Sequence, residues 1–107
     1  MLITTVFTTA TEPPVDAPKF ILNDGLPIID GVNSSQVSLS CDAEGGFPAV
    51  SSINISCLGR NIKHDGNALK LLLDVKKEDD DKVCTCSAYH QSERYTNNTS
   101  SLTVVVF

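Results

Sequence analysis

Apolar and polar residues alternate along several stretches of this chain. Val37-Ser38-Leu39-Ser40-Cys41-Asp42-Ala43 puts its apolar members and Cys41 on one side. Ile53-Asn54-Ile55-Ser56-Cys57 repeats the pattern, and Val83-Cys84-Thr85-Cys86 sends both cysteines the same way. Successive side chains of a strand point to opposite faces, so a period of two predicts half-buried β-strands. Further strands are expected over Lys19 to Leu22, which follows Pro18 and suits an edge, and over Leu102 to Val106. Leu26 to Ile29, between the turn signals Asn23-Asp24-Gly25 and Asp30-Gly31, reads as the second half of a split first strand. The predicted core is Val37, Leu39, Cys41, Ile53, Ile55, Cys57, Leu71, Leu73, Cys84, Cys86, Leu102 and Val104. The outward row is Ser52, Asn54 and Ser56 on one strand and Val83, Thr85, Ser87 and Tyr89 on the other.

The connections are polar. Glu44-Gly45-Gly46-Phe47-Pro48 is a turn-rich loop, and Gly59 ends the strand over 52–58. Arg60 to Asn67 leaves room for one short strand. Lys76-Lys77-Glu78-Asp79-Asp80-Asp81 reads as a charged, solvated corner of at most one helical turn. Calcium ligands need alternating spacing, which three adjacent Asp do not provide. Residues 1–18 are rich in Thr and Pro and read as a linker or N-terminal extension, with Leu2 to Thr8 either a tail or an extra strand; the domain proper is 19–107.

Composition narrows the class. The 107 residues suffice for one domain with a modest core, and 41% hydrophobic with 20% charged residues excludes a disordered or membrane-spanning chain. A net charge of −5 argues against nucleic acid or an anionic membrane as partner. Four cysteines suggest two disulfides and an oxidising compartment. Acceptor triplets for N-glycans at Asn33, Asn54, Asn97 and Asn98 agree with an extracellular location. The N-terminus lacks the basic and apolar regions of a signal peptide, so the chain reads as an excised module that starts at an added Met1. No catalytic constellation, metal site or cofactor motif is visible. His64, on a loop, and His90, at a strand end, read as surface residues, and no Cys-x-x-Cys or His-x-x-x-His is present. Cys84 and Cys86 are poorly placed to bond each other as a redox pair.

Asp80, Lys82, Cys84 and Cys86 stand at alternate positions. In the immunoglobulin superfamily the corresponding strand carries Asp, a small residue, Tyr and Cys at that spacing. The stretch Val37 to Ala43, followed by Gly45 and Pro48, is similar to the family's second strand. Leu69 to Val75 and Leu102 to Val106 resemble its fifth and last strands. The chain therefore resembles a C2-set or I-set immunoglobulin superfamily domain, of the kind found in invertebrate-type cell-surface or secreted recognition proteins. It departs at Lys82, where Gly or Ala is usual, at Cys84 for Tyr, and at Cys57 for the buried Trp.

The resemblance implies an all-β sandwich of seven to eight antiparallel strands in two sheets with Greek-key connections. It settles Ala68 to Lys77, a helix-forming sequence, as the strand that completes one sheet. Four cysteines allow three connectivities. The resemblance selects Cys41–Cys86 between the sheets and leaves Cys57 and Cys84 as a second bridge within one sheet, with two buried thiols as the rival. The function it implies is an extracellular, non-catalytic protein-binding module of an adhesion or immune-recognition receptor, its partner a cell-surface or soluble protein or a second copy of itself. The alternatives are a domain of a secreted innate-immune factor and a structural spacer. The contact surface it points to is the outer face carrying Ser52, Asn54, Ser56, Thr85, Ser87 and Tyr89, with Leu58 and Tyr95 extending it. A glycan on Asn54 would block that face and leave the loop ends.

Overall fold

A computed structural model of the chain describes residues 11–29 and 35–107. Leu2 to Thr8, Asn33 and the Asp30-Gly31 turn lie outside them.

Seven strands form two antiparallel sheets: β1 (Lys19–Leu22), β2 (Ser35–Asp42), β3 (Ser52–Cys57), β4 (Arg60–Asp65), β5 (Ala68–Val75), β6 (Val83–Tyr89) and β7 (Thr99–Thr103). One sheet has the order β1-β2-β5, the other β4-β3-β6-β7. The fold is an all-β, immunoglobulin-like sandwich. Its core lies where the period-two residues of both sheets meet. Leu39, Ile53, Val75, Val104, Cys84 and Cys86 are fully buried. Leu71 and Leu102 are only half-buried and pack against the edge of that cluster.

The stretch Ala68–Val75 is a strand despite its helical propensity. All eight of its residues pair with β2, from Ala68 opposite Asp42 to Val75 opposite Ser35. Leu73 and Val75 thereby reach the core, a gain that outweighs a few tenths of a kcal/mol per residue of propensity.

Three expectations about elements are corrected. The strand that Arg60 to Asn67 had room for is present as β4, six residues long, and His64 therefore sits on an exposed edge strand rather than on a loop. The two-residue turn Leu58-Gly59 makes this hairpin, with φ of 50° and 77°. Two consecutive positive φ values define the turn whose twist matches paired strands. The last strand starts at Thr99, not Leu102, and ends at Thr103. Beyond it the backbone runs past the corner, where Val104 N–H donates to Lys82 O, and meets Leu26 to Ile29, which is not half of a split first strand but holds a single parallel bridge, Ile28 with Val106.

The corner is not merely solvated. A 3-10 turn, Lys77–Asp79, buries Asp79. Its carboxylate accepts the Lys76 N–H at 2.8 Å and pairs with Lys82 at 3.0 Å. Asp80 accepts the Val106 N–H at 2.8 Å. Two of the three adjacent acids thus tie the corner to itself and to the C-terminal segment.

Candidate functional site

The outer face of the four-stranded sheet is built from cross-strand rows. Alternation on β3 and β6 turns Ile53, Ile55, Cys57, Cys84, Cys86 and Ala88 inward. It leaves Asn54, Ser56, Thr85, Ser87 and Tyr89 outward. The register then aligns these side chains. Asn54 lies opposite both Lys63 of β4 and Ser87 of β6, and Ser87 lies opposite Thr99 of β7. Lys63, Asn54, Ser87 and Thr99 therefore form one continuous row across all four strands. A second row sets Asp65, Ser52 and Tyr89 side by side. A third sets Asn61, Ser56, Thr85 and Ser101 side by side.

Between the first two rows is a concavity of about 350 Å³, bordered by Ser52, Asn54, Lys63, Ser87, Tyr89, Asn98 and Thr99 among others. Tyr89 is 68% exposed, a large ring standing clear of the sheet. Ser87 and Thr99 hydroxyls lie 3.2 Å apart, and Thr99 Oγ1 donates to Asn98 Oδ1 at 3.2 Å. Among the described residues, the Asn54 carboxamide and the Lys63 ammonium have no polar partner.

The residues expected on this face are not all available. Ser52, opposite Tyr89 in the register, is buried, at 7% exposure. Asn54, Thr85 and Ser87 are half-buried, and Ser56 and Tyr89 are open. Leu58 is drawn into the hairpin turn and packs on the core instead of widening the face.

Tyr95 leaves the face altogether. It is 6% exposed, and its hydroxyl donates to Asp16 O at 3.2 Å. Burial raises its phenol pKa above the usual 10.0, and the nearby Asp16 charge adds to the effect. His90 beside it is buried too, not a surface residue. Its Nε2 donates to Pro48 O at 2.6 Å, and its Nδ1 accepts the Ser92 N–H at 3.1 Å. The two rings meet edge to face, with centroids 6.2 Å apart. This pair plugs the end of the sandwich between the loops 43–51 and 90–98.

Residues 11–18 close the same end. Glu12 and Phe47 exchange backbone hydrogen bonds of 2.8 and 2.7 Å. Thr11 O accepts from Arg94, and the Thr11 hydroxyl accepts from Gln91 Nε2. Pro14 is buried against Gly46, whose φ is 83° and where a Cβ would stand 2.9 Å from the proline ring. Glycine is required there on both grounds. The Ser100 hydroxyl donates to Pro18 O.

Disulfides join Cys41 to Cys86, between the sheets, and Cys57 to Cys84, across the neighbouring strands β3 and β6. The Cα atoms of the second pair are 4.4 Å apart, the spacing of directly opposed residues in a non-hydrogen-bonded pair. Asn97 is exposed on the loop before β7, and Asn98 is half-buried at the concavity. Among the described residues, no three His, Cys, Asp or Glu side chains gather to hold a metal, and no helix is long and apolar enough to cross a membrane.

Three contributors to this site were invisible in the sequence. Lys63 joins it only because residues 60–65 form a full strand in register with β3. Asn98 and Thr99 join it because β7 begins three residues early. The chain matches no family model, no curated protein and no solved structure.

Proposed function

We propose that this chain is an extracellular, non-catalytic recognition module of the immunoglobulin superfamily kind, which binds a protein partner through the outer face of the β4-β3-β6-β7 sheet. One observation carries the choice of surface. The loop end, the rival contact region, is occupied by the chain's own residues 11–18, hydrogen-bonded to both loops. The sheet face is open and presents Tyr89 beside a concavity edged by hydroxyls and carboxamides. An amphipathic aromatic ringed by adaptable polar groups is a favoured anchor at interfaces. Two disulfides and the acceptor triplets for N-glycans support the extracellular setting. The same surface serves a membrane receptor or a secreted factor.

The test is binding of multivalent protein to a panel of animal cell surfaces. Tyr89→Ala and Ser56→Lys should lose binding, while Glu44→Lys at the loop end keeps it. Face variants that bind as the parent does, together with loss in Glu44→Lys, would overturn the choice of surface. Glycopeptide mapping at Asn54 in a eukaryotic host completes the test, because a glycan there covers the face.

A further inference from the structure

The concavity on this face has a composition that points to a ligand class. Its accessible walls carry hydroxyls, two carboxamides, one ammonium and one exposed phenol ring. Hydroxyls and carboxamides each both donate and accept hydrogen bonds. They therefore match a ligand that itself presents paired donors and acceptors at every position. The concavity's volume of about 350 Å³ lies at the low end of small-molecule sites, which run to about 1,000 Å³.

We infer that the concavity holds one acidic sugar residue at the end of a glycan chain. The ring's C–H face stacks on the Tyr89 phenol. Its hydroxyls bond to the Asn54 carboxamide and to the linked Ser87–Thr99–Asn98 groups, and its carboxylate pairs with the Lys63 ammonium. The unpartnered state of Asn54 and Lys63 carries the assignment furthest. An amide and a cation lie in one cross-strand row, both bordering the concavity, and no described residue satisfies either. Among the described residues, Lys63 is also the one charged side chain on the concavity wall. Asp65, the nearest carboxylate on β4, belongs to the next row and does not border the cavity. The sign of the ligand charge follows. This assignment deepens the proposed binding face and rests on it, since the partner then is a glycosylated protein recognised partly through its sugar.

The experiment uses protein from a bacterial host, oxidised and free of glycans, titrated with single sugars while backbone amide NMR shifts are followed. The probes are N-acetylneuraminic acid, glucuronic acid, N-acetylglucosamine and galactose. Saturable shifts at Ser87, Tyr89, Asn98 and Thr99 are expected with the acidic probes, with a Kd on the order of millimolar for one residue in a shallow site. Tyr89→Ala should weaken the binding by about tenfold. Lys63→Met should weaken the acidic probes a few-fold and bring them level with the neutral ones. Neutral probes binding as well as acidic ones overturn the charge assignment. No saturable shift with any probe overturns the saccharide site, and the face reading then stands or falls separately on the Tyr89→Ala cell-binding result. The chain's own sugar is the rival occupant, since Asn54 and Asn98 both begin acceptor triplets. Full occupancy of either in protein from an animal host overturns a site for an external ligand.

Discussion

The Tyr95 hydroxyl donates to the Asp16 carbonyl at 3.2 Å across 79 residues of sequence. This bond joins the loop before β7 to the segment preceding β1, at the end of the sandwich where His90 also lies. It has an alkaline signature. The phenol of the folded state ionises above its ordinary 10.0, so its contribution to stability is complete below that value and lost as pH rises through the raised one. Tyr95→Phe should cost about 0.5–1.5 kcal/mol at neutral pH and flatten the alkaline fall. Denaturant unfolding of both proteins across pH 8 to about 11 checks it; parallel curves would refute it.

Asp79 sets the acid limb. The Lys76 N–H bond first, and Lys82 with it, hold its carboxyl below the ordinary 3.8, against the opposing effect of burial. The stabilisation is therefore complete above 3.8 and lost as pH falls through the lowered folded value. Asp79→Ala should lower stability by about 1–3 kcal/mol at neutral pH, because the Lys76 N–H loses its acceptor. The difference from the parent should shrink as pH falls below 3.8. A difference that stays constant below that pH would show that the carboxylate charge is irrelevant.

Leu39 has no exposed surface and sits at the centre of β2. Leu39→Ala should cost about 2–5 kcal/mol, read from the shift in urea midpoint at unchanged slope. A loss below about 1 kcal/mol would mean that the site collapses around the cavity.

The two bridges should contribute unequally but similarly. Loop closure over separations of 45 and 27 residues gives about 4 kcal/mol for Cys41–Cys86 and about 3.5 kcal/mol for Cys57–Cys84, as upper values. The double replacement Cys57→Ala with Cys84→Ala should leave a folded, weakened domain. Reduction of both bridges should unfold it. Thermal melts of the reduced protein that match those of the oxidised protein within a degree or two would contradict the role given to them.

Gly46→Ala should loosen residues 11–18 without unfolding the sandwich. The new Cβ meets the Pro14 ring and sits at a φ of 83°. Faster proteolysis or amide exchange confined to residues 11–18 and the loops 43–51 and 90–98 is expected. Unchanged exchange there would show that the strap yields freely.

The strands and most of the core were legible in the sequence because a period of two is a local property. Val37, Leu39, Cys41, Ile53, Ile55 and Cys57 reveal their inward face through the residues next to them. What each strand faces across the sheet is not local. Lys63 belongs with Asn54 and Ser87 only once the Leu58-Gly59 turn has set the hairpin register. Tyr95 and His90 lie in a stretch with no periodicity, and nothing near them in sequence tells a surface ring from a buried one. Their burial was decided by partners at Asp16 and Pro48, brought close by the closure of the whole sandwich. Asp79 was hidden in a run of like charges, where composition says solvent. One backbone N–H and one ammonium at hydrogen-bonding distance made its burial favourable. Alternation along the chain thus determined which residues turn inward, and long-range pairing alone decided which outward residues meet to form a site.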